Sequence, residues 1–470
     1  MIKDPQEITN LILKAAEKAR RETDPTPEPA MTGPIHWPVT CTVGPGLEGA
    51  IACESRVGYV NGSAGTLIYR GYDIFDLAAY STFEEVSYLL LYGRLPTERQ
   101  LKWFKNKIAT YRPVPHTLRL LMSFPVEEMN AMAALRLGTS LMRQEFTAAD
   151  RETGKPDVSK AIRTDEDSIS METLPRGEKH AIYEFKRGKG AGRPGRAVEE
   201  LSGRESCFHL IAGVGTLAAA VSRLRQGLMP IEPDRTLSFA ANYLYMITGR
   251  RPTPVDERIM DLMLILHADH GMNASTFASM VVASTLSDAY LSIGSGIAAL
   301  SGPLHGGANE QVLRTLREIG DPKDVPEWYK RARAQGRKIM GFGHRVYKAY
   351  DPRARIIAPI VKALARTRKS IRPLYETADA LEREVVATLG RQKGIYPNVD
   401  FYSGLVYKCL GLSEELFTPT FAVARVSGWT ARVLEYLQNN RIFRPRAIYS
   451  GPLDRKYTPV EERGGKTAAE

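Results

Sequence analysis

The chain has 470 residues, of which 43% are hydrophobic and 25% are charged. This is the composition of a globular protein with one large core or two unequal domains, and it excludes a collagen-like, coiled-coil or wholly disordered chain. Lysine and arginine outnumber aspartate and glutamate by 64 to 53, which gives a net charge of +11. Such an excess of positive charge favours an anionic partner, which can be nucleic acid, an acidic membrane or small phosphates and carboxylates.

The four cysteines, Cys41, Cys53, Cys207 and Cys409, are scattered and form no C-x-x-C pair. This spacing predicts neither a disulfide framework nor a thiolate zinc site, and it favours a reducing, cytoplasmic location. The N-terminal segment carries acidic residues and has no apolar core of the secretory type. We therefore expect no signal or transit peptide.

Residues 1–40 predict a helix followed by a proline-rich arm. Helical periodicity over 6–20 is followed by TDPTPEP, in which three prolines alternate with other residues. Residues 58–72 place an Asn-Gly pair among small and apolar residues, which predicts a β-hairpin. Beyond the hairpin the pattern is predominantly helical. The predicted fold class is mainly α, with a small N-terminal β-hairpin.

The helical pattern is clearest over residues 81–96, where Ser81 or Thr82 is the expected N-cap and Gly93 the expected end. Comparable segments recur at 116–145, 206–226, 235–248, 256–268, 374–390 and 414–438. The apolar stretch 274–304 contains a single charge and many small residues. It favours two buried helices over a membrane span.

Residues 147–205 differ from the rest because they are polar and charged. Within them, 186–196 has five basic residues and no acidic one, together with a G-x-G-x-x-G match at Gly190, Gly192 and Gly195. No strand precedes this match and a proline interrupts it, so a dinucleotide site is disfavoured. A basic surface insertion is the preferred interpretation, and a loop that contacts phosphate or nucleic acid is the alternative.

Three motifs contain four of the eight histidines: His267 and His270 in LHADHGMNAS, His305 in SGPLHGGANE and His344 in MGFGHRVYKAYDPRA. Neighbouring glycines allow the backbone to approach a ligand closely and to present N–H groups to an anion. A zinc site at His267 and His270 is disfavoured, because no H-E-x-x-H pattern surrounds them. His267 follows an apolar helical run and is expected in the core, whereas His270 is expected to face a cavity.

A carboxylate is supplied by Asp400, which lies between two apolar residues in YPNVDFYSG. Burial would raise its pKa and make it a better base near neutral pH. The alternative is that Asp400 only caps the helix that begins there. Arg425 interrupts an apolar helix and Arg444 lies near the C-terminus. Because guanidinium groups bind carboxylates in bidentate fashion, converging arginines suit a di- or tricarboxylate.

The ordered motifs of the chain resemble those of the citrate synthase family. The resemblance covers 46–451 apart from the insertion at 147–205, and it rests on GLEGAIACES, YRGYDI, STFEEVSYLLLYGRLP, LHADHGMNAS, GPLHGGANE, GFGHRVYKAYDPRA, YPNVDFYSG and RPRAIYSG. It implies a two-domain helical fold. A large domain would contain 41–307 and 416–470, and a small domain on the CoA side would contain 308–415.

The resemblance implies an acyltransferase that condenses acetyl-CoA with oxaloacetate and hydrolyses the thioester to citrate and CoA, without a metal or other cofactor. By resemblance, Asp400 is the base, His305 stabilises the enol and His344 polarises the oxaloacetate carbonyl. The resemblance implies that oxaloacetate is bound by His270, Arg353, Arg425 and Arg444. It implies that the CoA phosphates are bound by Lys348 and Lys393. The resemblance further implies a homodimer in which Arg444 reaches the site of the neighbouring subunit.

One position departs from the family pattern, because Gly271 stands where the family commonly has an acidic residue. The nearest alternative function is 2-methylcitrate synthase, which uses propionyl-CoA and differs by one methyl group. A remoter alternative is a non-catalytic protein that binds an anionic metabolite and uses the basic insertion for nucleic acid. Intact Asp400, His305 and His344 disfavour it, so nucleic acid is not an expected partner. A membrane is not an expected partner either, because 274–304 favours buried helices.

Overall fold

The computed structural model describes residues 2–23, 32, 37–145, 196–453, 455–460 and 463. Within these ranges the chain is mainly helical and carries one small sheet, which confirms the predicted fold class. The proline-rich arm, the G-x-G-x-x-G match and most of the predicted insertion lie outside the described residues.

The helices are numbered here in chain order. The first nine are α1 (Pro5–Glu22), α2 (Ile74–Tyr80), α3 (Phe83–Tyr92), α4 (Glu98–Tyr111), α5 (Pro115–Leu121), α6 (Ala131–Leu141), α7 (Arg196–Leu224), α8 (Phe239–Thr248) and α9 (Pro254–His267). The others are α10 (Ala274–Ser284), α11 (Ala289–Leu300), α12 (Ala308–Ile319), α13 (Val325–Ala334), α14 (Pro352–Ala365), α15 (Arg372–Val385), α16 (Val399–Cys409) and α17 (Phe417–Leu437). Short turns of 3₁₀ or π type and one three-residue α-turn lie between them, at Pro45–Leu47, Pro322–Asp324, Val386–Gly390, Arg391–Lys393 and Glu414–Leu416.

The sheet is an antiparallel meander of β1 (Gly58–Asn61), β2 (Thr66–Tyr69) and β3 (Tyr72–Asp73). The predicted hairpin is present, and a short third strand extends it. The Asn61 carboxamide oxygen accepts the Ser63 and Ala64 backbone N–H groups, which bends the chain between β1 and β2. This turn contacts a loop downstream, since the Gly62 carbonyl accepts the Lys348 N–H at 2.9 Å.

Local signals place several helix ends correctly. Of the two candidate caps for α3, Thr82 is the one used: its hydroxyl accepts the Glu85 N–H at 3.3 Å, and Gly93 ends the helix with a φ of 76°. The apolar stretch at 274–304 forms α10 and α11, as predicted. Helix α7 begins at Arg196, so the last ten residues of the predicted insertion belong to this helix.

Helices α7 and α17 lie at the centre of the packing. The part of α7 from Gly203 to Leu224 is long and apolar enough to cross a membrane, but 89% of its most apolar window is buried inside the protein. Helix α17 packs against it and is buried over most of its length. Such burial is typical of a core helix, and it fixes the position of Arg425 on α17.

Candidate active site

The structure brings His270 and His344 together. His270 lies just beyond α9, and His344 lies in the loop between α13 and α14. Their rings meet edge to face, with centroids 5.1 Å apart. The hydroxyl of Tyr347 lies 3.1 Å from Nε2 of His270, so a third ring joins the pair. His267, in contrast, is fully buried in the core with Nδ1 2.7 Å from the Met263 carbonyl, as predicted.

The backbone determines which nitrogen of His344 carries a proton. Nδ1 of His344 accepts the N–H groups of Val346 and Tyr347, at 3.0 and 3.2 Å. Burial lowers the pKa of His344 to about 4, so the ring is neutral near pH 7. A neutral ring that accepts at Nδ1 carries its proton on Nε2. His344 therefore presents an N–H donor to the site.

His305 is oriented in a comparable way from the loop between α11 and α12. Its Nε2 accepts the Ser275 backbone N–H at 3.3 Å and lies 2.8 Å from the Ser275 hydroxyl. Burial lowers the pKa of His305 to about 4, and Arg425 contributes to the decrease. Because a backbone N–H can only donate, the neutral ring carries its proton on Nδ1. His305 thus presents a second N–H donor.

Asp400 does not cap the helix that contains it. Asn398 is the N-cap of α16, and its side chain accepts the Asp400 N–H at 3.0 Å. The capping interpretation of Asp400 is therefore wrong. Oδ1 of Asp400 is buried and has no hydrogen-bond partner within the part of the chain that the structure describes. Burial raises its pKa to about 6, so the carboxyl group is ionised at neutral pH yet remains a competent base.

Arg353 is held by Asp351 at the start of α14. Its Nε and Nη2 donate to the two carboxylate oxygens at 3.1 and 2.8 Å, and both residues are buried. Burial alone would raise the pKa of Asp351, but the charge and hydrogen bonds of Arg353, together with the charge of His344, lower it below its usual value. Asp351 also accepts the Val399 N–H at 3.2 Å, so the start of α14 is fastened to the start of α16 beside Asp400.

Arg425 is a buried cation with incomplete hydrogen bonding. Its Nε donates to the His267 carbonyl at 2.6 Å, and its guanidinium lies over the Phe421 ring at 4.6 Å from the ring centroid. Burial lowers its pKa to about 10, which leaves it charged at neutral pH. Nη2 is buried and has no partner among the described residues. An unpaired buried guanidinium is costly, and an anionic ligand would relieve that cost.

Sequence reasoning missed the ion pair that supports His270. Asp269 is buried and accepts Nε and Nη2 of Arg432, both at 2.8 Å. It also accepts the Gly271 N–H at 3.2 Å. Arg432 lies seven residues, or two helical turns, after Arg425 in the same apolar helix, and this spacing was an available signal.

The backbone explains why glycine suits position 271. Gly271 has a φ of 62°, in the left-handed region that most side chains avoid. A Cβ there would lie 3.4 Å from Cγ2 of Val60, which is ordinary contact, so conformation and not space favours glycine.

The remaining predicted site residues lie further out. Lys348 and Lys393 are both exposed, and their segments touch, since a Cβ on Gly394 would lie 2.7 Å from the Lys348 carbonyl oxygen. Arg444 is exposed in the segment after α17, where its Nη1 donates to the Pro445 carbonyl at 3.3 Å. Within this single chain the structure does not bring Arg444 to the other predicted residues.

Arg425 links the rest of the predicted residues electrostatically. Its charge acts on the pKa values of His270, His305 and Asp400. Over the described ranges, no three or more His, Cys, Asp or Glu residues group as a metal site would require. The cluster offers one carboxylate base, two neutral imidazole donors and buried guanidinium groups.

Comparison with known proteins decides the family. Residues 46–446 match the family model described as citrate synthase, C-terminal domain. The chain belongs to the citrate synthase family. It is 40% identical over 420 residues to citrate synthase of Haloferax volcanii, a match that covers 89% of this chain and 98% of that protein. It is 39% identical over 419 residues to citrate synthase 2 of Bacillus subtilis, with coverage of 89% and 98%.

Solved structures of the citrate synthase family share the fold. Citrate synthase from Pyrobaculum aerophilum is 39% identical, with a TM-score of 0.75 over 92% of this chain and 100% of that one. Citrate synthase from Thermoplasma acidophilum is 33% identical, with a TM-score of 0.75 over 90% and 100%. The latter structure is a ternary complex with carboxymethyl coenzyme A and oxaloacetate. The resemblance drawn from the motifs is confirmed.

Proposed function

We propose that the protein is a citrate synthase, an acyltransferase that condenses acetyl-CoA with oxaloacetate and hydrolyses the product to citrate and CoA. The observation that carries the proposal is the Asp400 carboxylate, which is buried at Oδ1, lacks a partner among the described residues and has a pKa raised to about 6. The relatives named citrate synthase and the complexed Thermoplasma acidophilum structure support the same substrates.

The first step is removal of a methyl proton from acetyl-CoA by Asp400. This proton is a very weak acid, so the negative charge that develops on the thioester oxygen must be stabilised as the proton leaves. The Nδ1–H of His305 is the proposed donor to that oxygen, because Ser275 fixes the ring tautomer. A neutral donor suits this task, since its low pKa keeps His305 uncharged throughout the physiological range.

The second step joins the enol carbon to the carbonyl carbon of oxaloacetate. The Nε2–H of His344 is the proposed donor to the carbonyl oxygen, which becomes the hydroxyl group of the product. We propose that His270, Arg353 and Arg425 bind the oxaloacetate carboxylates. Nη2 of Arg425, which has no partner among the described residues, would find one there. Attack of water on the thioester then releases CoA and citrate. This chemistry needs no metal or other cofactor.

We propose a site between two domains, a large one of 41–307 with 416–470 and a small one of 308–415. His344, Arg353 and Asp400 fall in the small domain, whereas His270, His305 and Arg425 fall in the large one. Closure of the small domain would therefore assemble the site and exclude water before the enol forms. Lys348 and Lys393, exposed on touching segments of the small domain, are the proposed ligands of the CoA phosphates.

We also propose a homodimer in which Arg444 completes the site of the partner subunit. The segment after α17 is exposed and rich in large apolar side chains, among them Ile448, Leu453 and Tyr457, which are 97%, 91% and 82% exposed. Burial of such a segment against a second copy would be favourable, and it would carry Arg444 away from its own site. None of the four cysteines, all of which lie in the described ranges, forms a disulfide, which supports the proposed cytoplasmic location.

The acyl donor is tested by measuring free-thiol release from acetyl-CoA and from propionyl-CoA in the presence of oxaloacetate. Asp400→Asn is the test variant, and Asp379→Asn, which changes an aspartate on α15 of the same proposed domain, is the matched control. We expect faster release with acetyl-CoA, lost in the first variant and retained in the second. Faster release with propionyl-CoA would assign 2-methylcitrate synthase. The two donors differ by one methyl group, which is worth only about 1–3 kcal/mol in a pocket, so their rates must be compared directly.

A further inference from the structure

Helix α1 precedes the residues matched by the family model, which begin at 46, and it nevertheless packs against the rest of the protein. Ile8, Ile12 and Ala16 lie one turn apart on one face and are 0%, 0% and 3% exposed. This face packs against α2, α9 and α14. Nothing in the proposed chemistry uses α1, so its contacts with α14 call for an explanation.

One set of polar contacts fastens α1 to α2. The Thr9 hydroxyl donates to the Ala79 carbonyl at 3.2 Å. Arg20 and Asp76 form an exposed ion pair with an N–O distance of 3.7 Å. Helix α2 carries none of the proposed substrate ligands, so its contacts with α1 anchor α1 without involving the proposed site.

A second set of contacts leads from α1 toward the oxaloacetate ligands. Glu22 accepts a hydrogen bond from the guanidinium of Arg355 on α14, whose side chain is only 13% exposed. The same guanidinium lies over the ring of Tyr350, 4.8 Å from the ring centroid. Tyr350 immediately precedes Asp351, and the Asp351 carboxylate holds Arg353. Three contacts and the peptide bond between Tyr350 and Asp351 therefore connect Glu22 to a proposed oxaloacetate ligand.

The charge of Lys18 on α1 also acts on a residue near the base. Burial raises the pKa of Glu382 on α15, while a hydrogen bond from Tyr402 and the charge of Lys18 oppose that rise. The Tyr402 hydroxyl donates to the Glu382 carboxylate. Tyr402 lies two residues after Asp400 in α16. Glu22 thus contacts a residue two positions after Arg353. The charge of Lys18 acts on Glu382, whose partner Tyr402 lies two positions after Asp400.

We propose that α1 is a strap that holds the start of α14 in its ligand-binding position, and that Glu22 is a positioning residue for Arg353 through Arg355 and Tyr350. This inference rests on the proposed function, because it assigns oxaloacetate to Arg353. Glu22 touches no substrate. Its loss weakens oxaloacetate binding without slowing the chemical steps, since the groups that transfer the proton and stabilise the enol are unchanged.

The test compares Glu22→Gln with the parent protein by titration calorimetry with oxaloacetate and by steady-state kinetics. We expect the Kd and KM for oxaloacetate to rise about twofold to fivefold, the effect of losing one partly exposed ion pair, with kcat unchanged. Glu22→Asp, which keeps the charge, is expected to recover part of the affinity. The difference between parent and Glu22→Gln should shrink as ionic strength rises, because salt screens the pair.

Asp76→Asn is the matched control, because it removes the ion pair that α1 makes with α2 and leaves Glu22 intact. We expect it to leave the Kd for oxaloacetate unchanged. Equal affinities in Glu22→Gln and parent, or equal losses in Glu22→Gln and Asp76→Asn, would overturn the role of Glu22 alone. A parent protein that binds no oxaloacetate would overturn the proposed function and this role together.

Discussion

Replacing Asp400 by asparagine should abolish activity and stabilise the protein at the same time. The ionised carboxylate sits where burial opposes its charge, and its Oδ1 has no partner in the described part of the chain. Asparagine has nearly the shape of the protonated acid and carries no charge at any pH. The variant therefore removes an unfavourable feature that the proposed reaction requires.

The size of the effect follows from the pKa of Asp400, which rises from 3.8 to about 6 on folding. Each tenfold change in acidity corresponds to about 1.4 kcal/mol, so ionisation costs the folded state about 3 kcal/mol well above pH 6. Because the folded pKa is the higher one, this residue favours folding fully below pH 3.8 and loses that contribution as pH rises through 6. The gain from Asp400→Asn should be about 1.5 kcal/mol at pH 5 and about 3 kcal/mol at pH 7.5.

The assay is urea unfolding of parent and variant at both pH values and at one protein concentration, because association contributes to apparent stability. Asp351→Asn is the control of opposite sign: removing one partner of its buried ion pair with Arg353 should destabilise the protein by about 3–5 kcal/mol. An Asp400→Asn variant that is less stable than the parent, or a gain in stability that does not grow with pH, would contradict the raised pKa of Asp400.

Three further predictions concern the site. The value of kcat/KM should fall about tenfold per pH unit below pH 6, because Asp400 must be ionised to act as the base. His305 and His344, whose pKa values are about 4, stay neutral over this range. A profile that is flat down to pH 5 would exclude Asp400 as the base. Arg425→Met should weaken oxaloacetate binding about tenfold to hundredfold by calorimetry, since a charged hydrogen bond is lost, and an unchanged Kd would contradict its assignment. Mixing the inactive variants Arg444→Ala and Asp400→Asn should restore activity through heterodimers, because one site then has both residues; no recovery after confirmed subunit exchange would mean that each site uses its own Arg444.

Features specified by a few neighbouring residues could be predicted from the sequence. Thr82 and Gly93 directly flank α3, and both are where the pattern places them. The cap of α16 could not be assigned from neighbouring residues, because Asn398 and Asp400 are both able to cap a helix. In the structure Asn398 is the cap, and Asp351 from another element accepts the N–H of Val399, the next residue. Local sequence carries no information about that contact.

Interactions between distant parts of the chain could not be predicted from pattern alone. Asp269 and Arg432 are 163 positions apart, and only the packing of α17 beneath the turn after α9 brings them together. The residue types of the site were recognisable because the motifs keep them beside glycines and aromatic residues. Their protonation was not, since the tautomers of His305 and His344 are set by backbone N–H groups of Ser275 and of Val346 with Tyr347.

The role of Asp400 is tested most directly by incubating purified protein with oxaloacetate and acetyl-CoA and quantifying citrate and free CoA by mass spectrometry and thiol titration. We expect equal amounts of both products from the parent protein, and neither from an Asp400→Asn variant that still binds oxaloacetate with the affinity of the parent. Free CoA without citrate, or citrate formation undiminished by Asp400→Asn, would contradict the claim that Asp400 initiates carbon–carbon bond formation.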